Sequence, residues 1–140
     1  MAARIYSEST QLRDIAEPEA AALSALNANA EQRQRILDAA HMISPEPYGI
    51  EAMIAAGFAF HSTILEGTGN IMISQLQGLI LALLQFSYPT GAINAPEEKV
   101  SKLKHIGVAE AIAEGNATDA RTQMRSMLEQ NLDIADKLNT

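Results

Sequence analysis

Three histidines, one arginine set among apolar residues and a complete lack of cysteine define the chemistry open to this chain of 140 residues. Without cysteine there can be no disulfide, no thiolate nucleophile and no Cys-based zinc site. His61 stands in "GFAFHSTILEGTGN" (Gly57 to Asn70) on an apolar helical stripe. Read from the residues alone, it is a buried core histidine satisfied by one hydrogen bond, and the functional alternative is a ligand or metal contact inside the fold. His105, in "KVSKLKHIGVAEAI", borders the inward side marked by Val100, Leu103, Val108 and Ile112, with Ser101 one turn earlier on the same face. Its simplest role is a rim residue. His41 falls in a last helical turn, where a histidine interacts well with the negative end of the helix dipole. Arg13, between Leu12 and Ile15, forms either a surface salt bridge with Glu17, one turn on, or an anion clamp, since a guanidinium binds a carboxylate bidentately.

Other motifs exclude themselves. "GTGN" (Gly67 to Asn70) has no preceding strand and lacks the later glycine of a phosphate loop, so it reads as a helix–helix turn. A di-iron bundle needs Glu-x-x-His pairs, and none occurs. Met124 and Met127 read as packing residues. There are no paired carboxylates on an inward face and no nucleophile–base pair, which argues against an enzyme even though two histidines and an arginine are the raw material of acid–base chemistry.

Positioning these residues falls to helices. Apolar residues make up 47% of the chain and charged residues 19%, aromatics are few, and Ala, Leu, Ile and Met are abundant, a mix that favours helix on helix. The length suits one domain. Six helical segments are expected and no strand. The first spans about Thr10–Asn27, with Leu12, Ile15, Ala16, Leu23 and Leu26 recurring at helical spacing and Pro18 expected to bend it. The second spans Ala30–Ile43, with Ile36, Leu37, Ala40 and Ile43 inward, and "SPEPYG" (Ser44–Gly49) breaks it. The third runs from Ile50 to Glu66, carrying Ile50, Ile54, Phe58, His61, Ile64 and Leu65 on one stripe, and Gly67 stops it. Asn70 caps a fourth, Ile71–Phe86, apolar nearly all round and so either central or buried between subunits. "SYPTGAINAP" is a loop. Pro96, Glu97 and Glu98 open a fifth that ends near Glu114–Asn116. The sixth runs from Ala117 to about Leu138, with Met124, Met127, Leu128, Ile134 and Leu138 on its apolar side. Short connections make this an all-α, largely antiparallel bundle.

A net charge of −7 repels phosphate backbones, so these residues are poor nucleic-acid binders. "GLILALL" is too short to span a bilayer, and "MAARIYSEST" lacks a signal-peptide core. A cytoplasmic protein is expected.

Three stretches, in order, resemble one family. "QLRDIAEPEAAALSAL", "GFAFHSTILEGTGN" and "HIGVAEAIAEGNATDARTQMRSML" resemble successive motifs of the FCD domain, the effector-binding half of FadR-type GntR transcription regulators, over about Leu12–Leu132. The resemblance implies a helical bundle around a polar internal ligand cavity, a small carboxylate effector, a homodimer and, in many members, a divalent metal held by an Asp, a His one turn on and two later histidines. Those positions correspond here to Gly57, His61, His105 and Met127, so two of the four ligand types survive. Arg13 corresponds to the anion-clamping arginine and Ser101 to a polar pocket position. The implied ligand-binding set is therefore Arg13, His61, Ser101, His105 and Met127.

The departures carry physical weight. Gly57 offers no donor and Met127 only a thioether, while zinc usually takes three or more protein ligands. No cofactor is expected, and the pocket should be metal-free or hold a divalent metal only weakly. The missing carboxylate at Gly57 should leave Arg13 under-compensated and favour an acid bound directly by Arg13, His61 and His105. The family's winged helix-turn-helix has no counterpart in these 140 residues, so DNA contact would lie in a separate N-terminal domain, and the chain reads as an effector domain, excised or solitary. The competing reading is a dimerisation bundle with a vestigial pocket.

Overall fold

The computed structural model describes residues 1–43, 49–90 and 95–139, with side chains given outside positions 2, 50, 87–100 and 130–139. Among the described residues there are seven helices and no strand: α1 (Ala2–Asn27), α2 (Ala30–Met42), α3 (Ile50–Gly67), α4 (Ile71–Ser74), α5 (Gln77–Thr90), α6 (Ala95–Ala113) and α7 (Ala117–Asn139). The all-α bundle expected from the sequence is the observed fold. Most of the "SPEPYG" break, the centre of "SYPTGAINAP", and the side chains of Ile50, Val100, Ile134 and Leu138 lie outside the described residues.

Helix α1 is the hub, packing on α3, α5, α6 and α7. It begins two turns before the predicted start and runs unbroken through Pro18. Its inner face corrects the sequence reading. Leu12, Ile15 and Leu26 are 41%, 69% and 64% exposed, whereas Tyr6, Ser9, Thr10, Arg13, Glu17, Ala20, Ala21, Ser24 and Ala25 are buried. Successive residues turn by about 100° on a helix, so a face centred on positions 6, 10, 13, 17, 20 and 24 places Ile15 on the opposite side. Small residues in the second half of this stripe let neighbouring helices approach closely. Polar residues in the first half point into the bundle.

The close approach is sharpest where α3 ends. A side chain at Gly67 would collide with Ser24 Oγ and sit 3.3 Å from Ala28 Cβ. The close approach of α1 therefore requires a glycine at position 67, and the chain reverses at Gly69, whose φ is +70°. Gly115, with φ +74°, performs the same reversal between α6 and α7. Ser24 Oγ is fully enclosed and has no hydrogen-bond partner. Since an unpaired buried hydroxyl costs free energy, Ser24→Ala is expected to hold or raise the thermal midpoint. Gly67→Ala is expected to lose about 1–3 kcal/mol, and less in the Ser24→Ala background. Thermal denaturation of the two single variants and the double variant checks both points, and additive losses would count against the contact.

The predicted fourth helix divides into α4 and α5 at Gln75–Leu76. Asn70 caps it as expected, its side chain accepting from Met72 N and Ile73 N. It is not central: α5 packs mainly on α3, and Ile71 and Met72 are each 74% exposed. The loop assigned from Ser87 is helical through Thr90. In α2, Asn29 and Gln32 form a capping box, and Ile36 and Ala40 are buried with Ala39. Arg33 of α2 donates to the carbonyls of Ala25, Ala28 and Ala113, tying together the C-terminal ends of α1 and α6. Val108 and Ile112 of α6 enter the core, but Leu103 is 69% exposed. It is two positions from the buried His105, or about 200° around the helix.

Candidate functional site

Where α1, α3 and α6 meet, the polar half of the α1 stripe faces two histidines. Arg13, Glu17, His61 and His105 are 5%, 2%, 4% and 6% exposed. Arg13 Nε donates to Glu17 Oε2 at 2.7 Å, and the other carboxylate oxygen, Oε1, contacts His61 Nδ1. Arg13 Nη2 lies 3.2 Å from His61 Nε2. A guanidinium can only donate, so Nε2 supplies the lone pair. That puts the imidazole proton on Nδ1, facing Glu17. The three side chains close a ring: both Arg13 edges are hydrogen bonds, and the His61 Nδ1–Glu17 Oε1 edge is a close charge contact without hydrogen-bond alignment.

His105 approaches from α6. Its Nδ1 donates to the Ser101 carbonyl oxygen at 2.6 Å, and the Ser101 hydroxyl lies 3.4 Å from the same nitrogen. This fixes its tautomer and leaves Nε2 as the lone-pair nitrogen. The Phe60 ring, fully buried, stands edge-on to both imidazoles, at centroid distances of 5.2 Å from His61 and 4.6 Å from His105. The two imidazole centroids are 6.0 Å apart.

The electrostatics follow from burial set against partners. Burial alone would raise the Glu17 pKa, but Arg13 and His61 outweigh it and hold the carboxyl down at about 2. Burial and the nearby His61 push His105 down to about 4, against the pull of the Ser101 carbonyl. At neutral pH His105 therefore brings no charge, only an acceptor. Burial also raises the Tyr6 phenol, opposed by Arg13.

The structure thus brings Arg13, His61, Ser101 and His105 together. Met127 of α7 is buried in the apolar cluster that holds Met124, Leu128 and Phe60. The expected Arg13–Glu17 pair forms, but in the interior rather than on the surface. Arg13 is also not left under-compensated by Gly57, because Glu17 supplies the carboxylate. Glu17 and Phe60 are the residues sequence reasoning missed as members of the site. The four-residue spacing of Arg13 and Glu17 was the available signal.

The donor set does not fit a divalent metal. Gly57 has no side chain, Met127 offers a thioether, and both His61 nitrogens are engaged, one by a guanidinium that would face the cation. Among the described residues, no three His, Cys, Asp or Glu side chains are placed to hold a metal ion together.

The family model of the FCD domain matches residues 8–130. The chain belongs to the FCD domain family. Residues 8–130 of that match take in the whole cluster from Arg13 to His105, so the site lies inside the FCD domain. A solved structure of a GntR protein from Streptococcus agalactiae shares the fold with a TM-score of 0.75 at 23% identity, over 91% of this chain. This chain spans 57% of that protein's length. No curated protein matches the sequence. No helix among the described residues is long and apolar enough to cross a membrane.

Proposed function

We propose that this FCD domain is the effector-sensing part of a cytoplasmic GntR-type transcription regulator, and not an enzyme. A small organic acid binds between α1, α3 and α6 without a metal cofactor. Arg13 holds its carboxylate, with His61, Ser101 and His105 around it, and any part taken by Met127 is through packing. Binding shifts these helices and so repositions DNA-binding domains carried elsewhere in the full regulator. The observation that supports this reading is the buried Arg13–Glu17–His61 cluster, with His105 beside it, which holds the charged groups of the bundle's interior among the described residues. The domain acts as a homodimer, for which the exposed Ile71 and Met72 supply apolar surface. Light scattering on the eluted protein tests the dimer.

Scanning calorimetry with a panel of carboxylates tests the binding. An effector present at about 100 times its Kd is expected to add about 2.7 kcal/mol of stability, and Arg13→Gln is expected to abolish the gain. Titration with zinc tests the metal-free site, and a Kd far below micromolar would overturn it. The second reading, a dimerisation bundle with a vestigial pocket, is favoured by Arg13 already being neutralised internally. It predicts no thermal shift with any acid.

A further inference from the structure

Among the described residues the buried interior holds a single guanidinium, Arg13, and a single carboxylate, Glu17. Nε and Nη2 of Arg13 are committed to Glu17 and His61, and Nη1 takes part in neither bond. An incoming carboxylate therefore accepts from the Nη1–Nη2 edge, and it does so beside a carboxylate already 2.7 Å from the same guanidinium. One such group brings the cluster to one net negative charge. A second carboxylate on the same ligand meets no second buried cation. His105 spends its one ring proton on the Ser101 carbonyl and presents a lone pair at Nε2, which repels an anion and suits a hydroxyl donor. His61 turns its proton to Glu17 and its lone pair to Arg13. Tyr6 lies on the same inner face of α1 and adds no positive charge.

We propose that Glu17 is a specificity-determining residue that confines the site to ligands bearing one carboxylate and excludes dicarboxylates by like-charge repulsion across the Arg13 guanidinium. The inference rests on the acid-binding reading of the site and narrows it to a ligand class: a monocarboxylate whose remaining polar groups are neutral. Two unit charges about 6 Å apart in an environment of effective dielectric about 20 repel strongly enough to change affinity about a hundredfold. The repulsion is sustained because Glu17 is fully enclosed, so no solvent screens it.

The test is titration calorimetry of the whole chain with straight-chain dicarboxylic acids of three to six carbons, each compared with its own monomethyl ester. The ester keeps the shape and removes one charge. The wild type is expected to bind the best monoester at least about tenfold more tightly than the parent diacid. Glu17→Gln keeps an acceptor for Arg13 and is expected to strengthen diacid binding at least about tenfold, closing most of that gap. Glu17→Asp keeps the charge and is expected to keep the preference. Circular dichroism reports whether each variant folds, and where Glu17→Gln does not, the wild-type and Glu17→Asp ratios decide. A wild-type preference for the diacid overturns the proposal. So does a Glu17→Gln variant that weakens monoester and diacid equally, since Glu17 would then only position Arg13. Wild-type protein that binds neither acid of any pair overturns the acid-binding reading itself, a result distinct from binding without preference.

Discussion

Glu17→Ala is expected to lose about 3–5 kcal/mol of unfolding free energy, read from the urea midpoint at unchanged slope. Among the described residues the carboxylate is the one anion in contact with Arg13, at 2.7 Å, and its other oxygen lies against His61 Nδ1. Both partners are inside the bundle, with side chains 6% and 4% exposed. Removing Glu17 leaves a guanidinium, which cannot shed its proton, buried without a counter-ion, and that is the expensive case. Arg13→Met alone is expected to cost less, because a buried carboxyl freed of its cation can take up a proton and become neutral. Combining Arg13→Met with Glu17→Leu removes both charges and fills the space with apolar atoms. The double variant is expected to recover most of the loss from Glu17→Ala, since a buried ion pair replaced by well-packed apolar residues is often neutral in stability. A loss below about 1 kcal/mol in Glu17→Ala would place the pair among surface-like salt bridges and contradict its burial. The comparison also separates folding from binding: the double variant should be stable and yet unable to hold an acid.

That contrast explains which parts of the molecule could be read from the sequence. Helix α2 follows the rule that apolar residues at helical spacing point inward, and Ile36 and Ala40 are buried as expected. Helix α7 follows it too, through Met124, Met127 and Leu128. Helix α1 breaks it. Its large apolar residues Leu12, Ile15 and Leu26 lie outward, because the inward face is claimed by small residues that permit close packing and by charges that neutralise one another. Hydropathy scores each residue singly, so it places Arg13 and Glu17 outside, although as a pair they are tolerated inside. The stripe Ala20, Ala21, Ser24, Ala25 continues the line of Arg13 and Glu17 along the helix, and this alignment was the legible hint. On α3 the sequence reading chose Phe58 for its stripe, and the partly buried Phe58 does pack against the core. It passed over Phe60, which is fully buried against both imidazoles. The division between α4 and α5 falls where Ser74, Gln75 and Gln77 interrupt the apolar run just ahead of Gly78, a polar cluster that a reading by overall hydropathy passes over.

Stability is expected to fall in two successive steps on acidification. His105 titrates at about 4 in the fold against an ordinary value of 6.5. The unfolded chain therefore takes up this proton first. Above pH 6.5 neither state is protonated and the contribution is complete; it is lost as pH falls from 6.5 through 4. Glu17 titrates at about 2 against 4.5. Its contribution is likewise complete above 4.5 and is lost as pH falls from 4.5 through 2. Each displacement corresponds to about 3 kcal/mol at full effect. The first window is the informative one, because ordinary carboxylates contribute little above pH 5 and a slope there comes from histidines, among which the comparison with His105→Leu singles out His105. His105→Leu, which cannot titrate and suits the apolar edge of Phe60, is expected to flatten the dependence between pH 7 and 5 while leaving the lower window intact. Urea unfolding at half-unit pH intervals measures both. A wild-type curve already flat between pH 7 and 5 would mean that His105 is charged or solvated in the fold. It would then be a cation available to a second carboxylate, and the charge argument that confines the site to one acidic group would lose its footing.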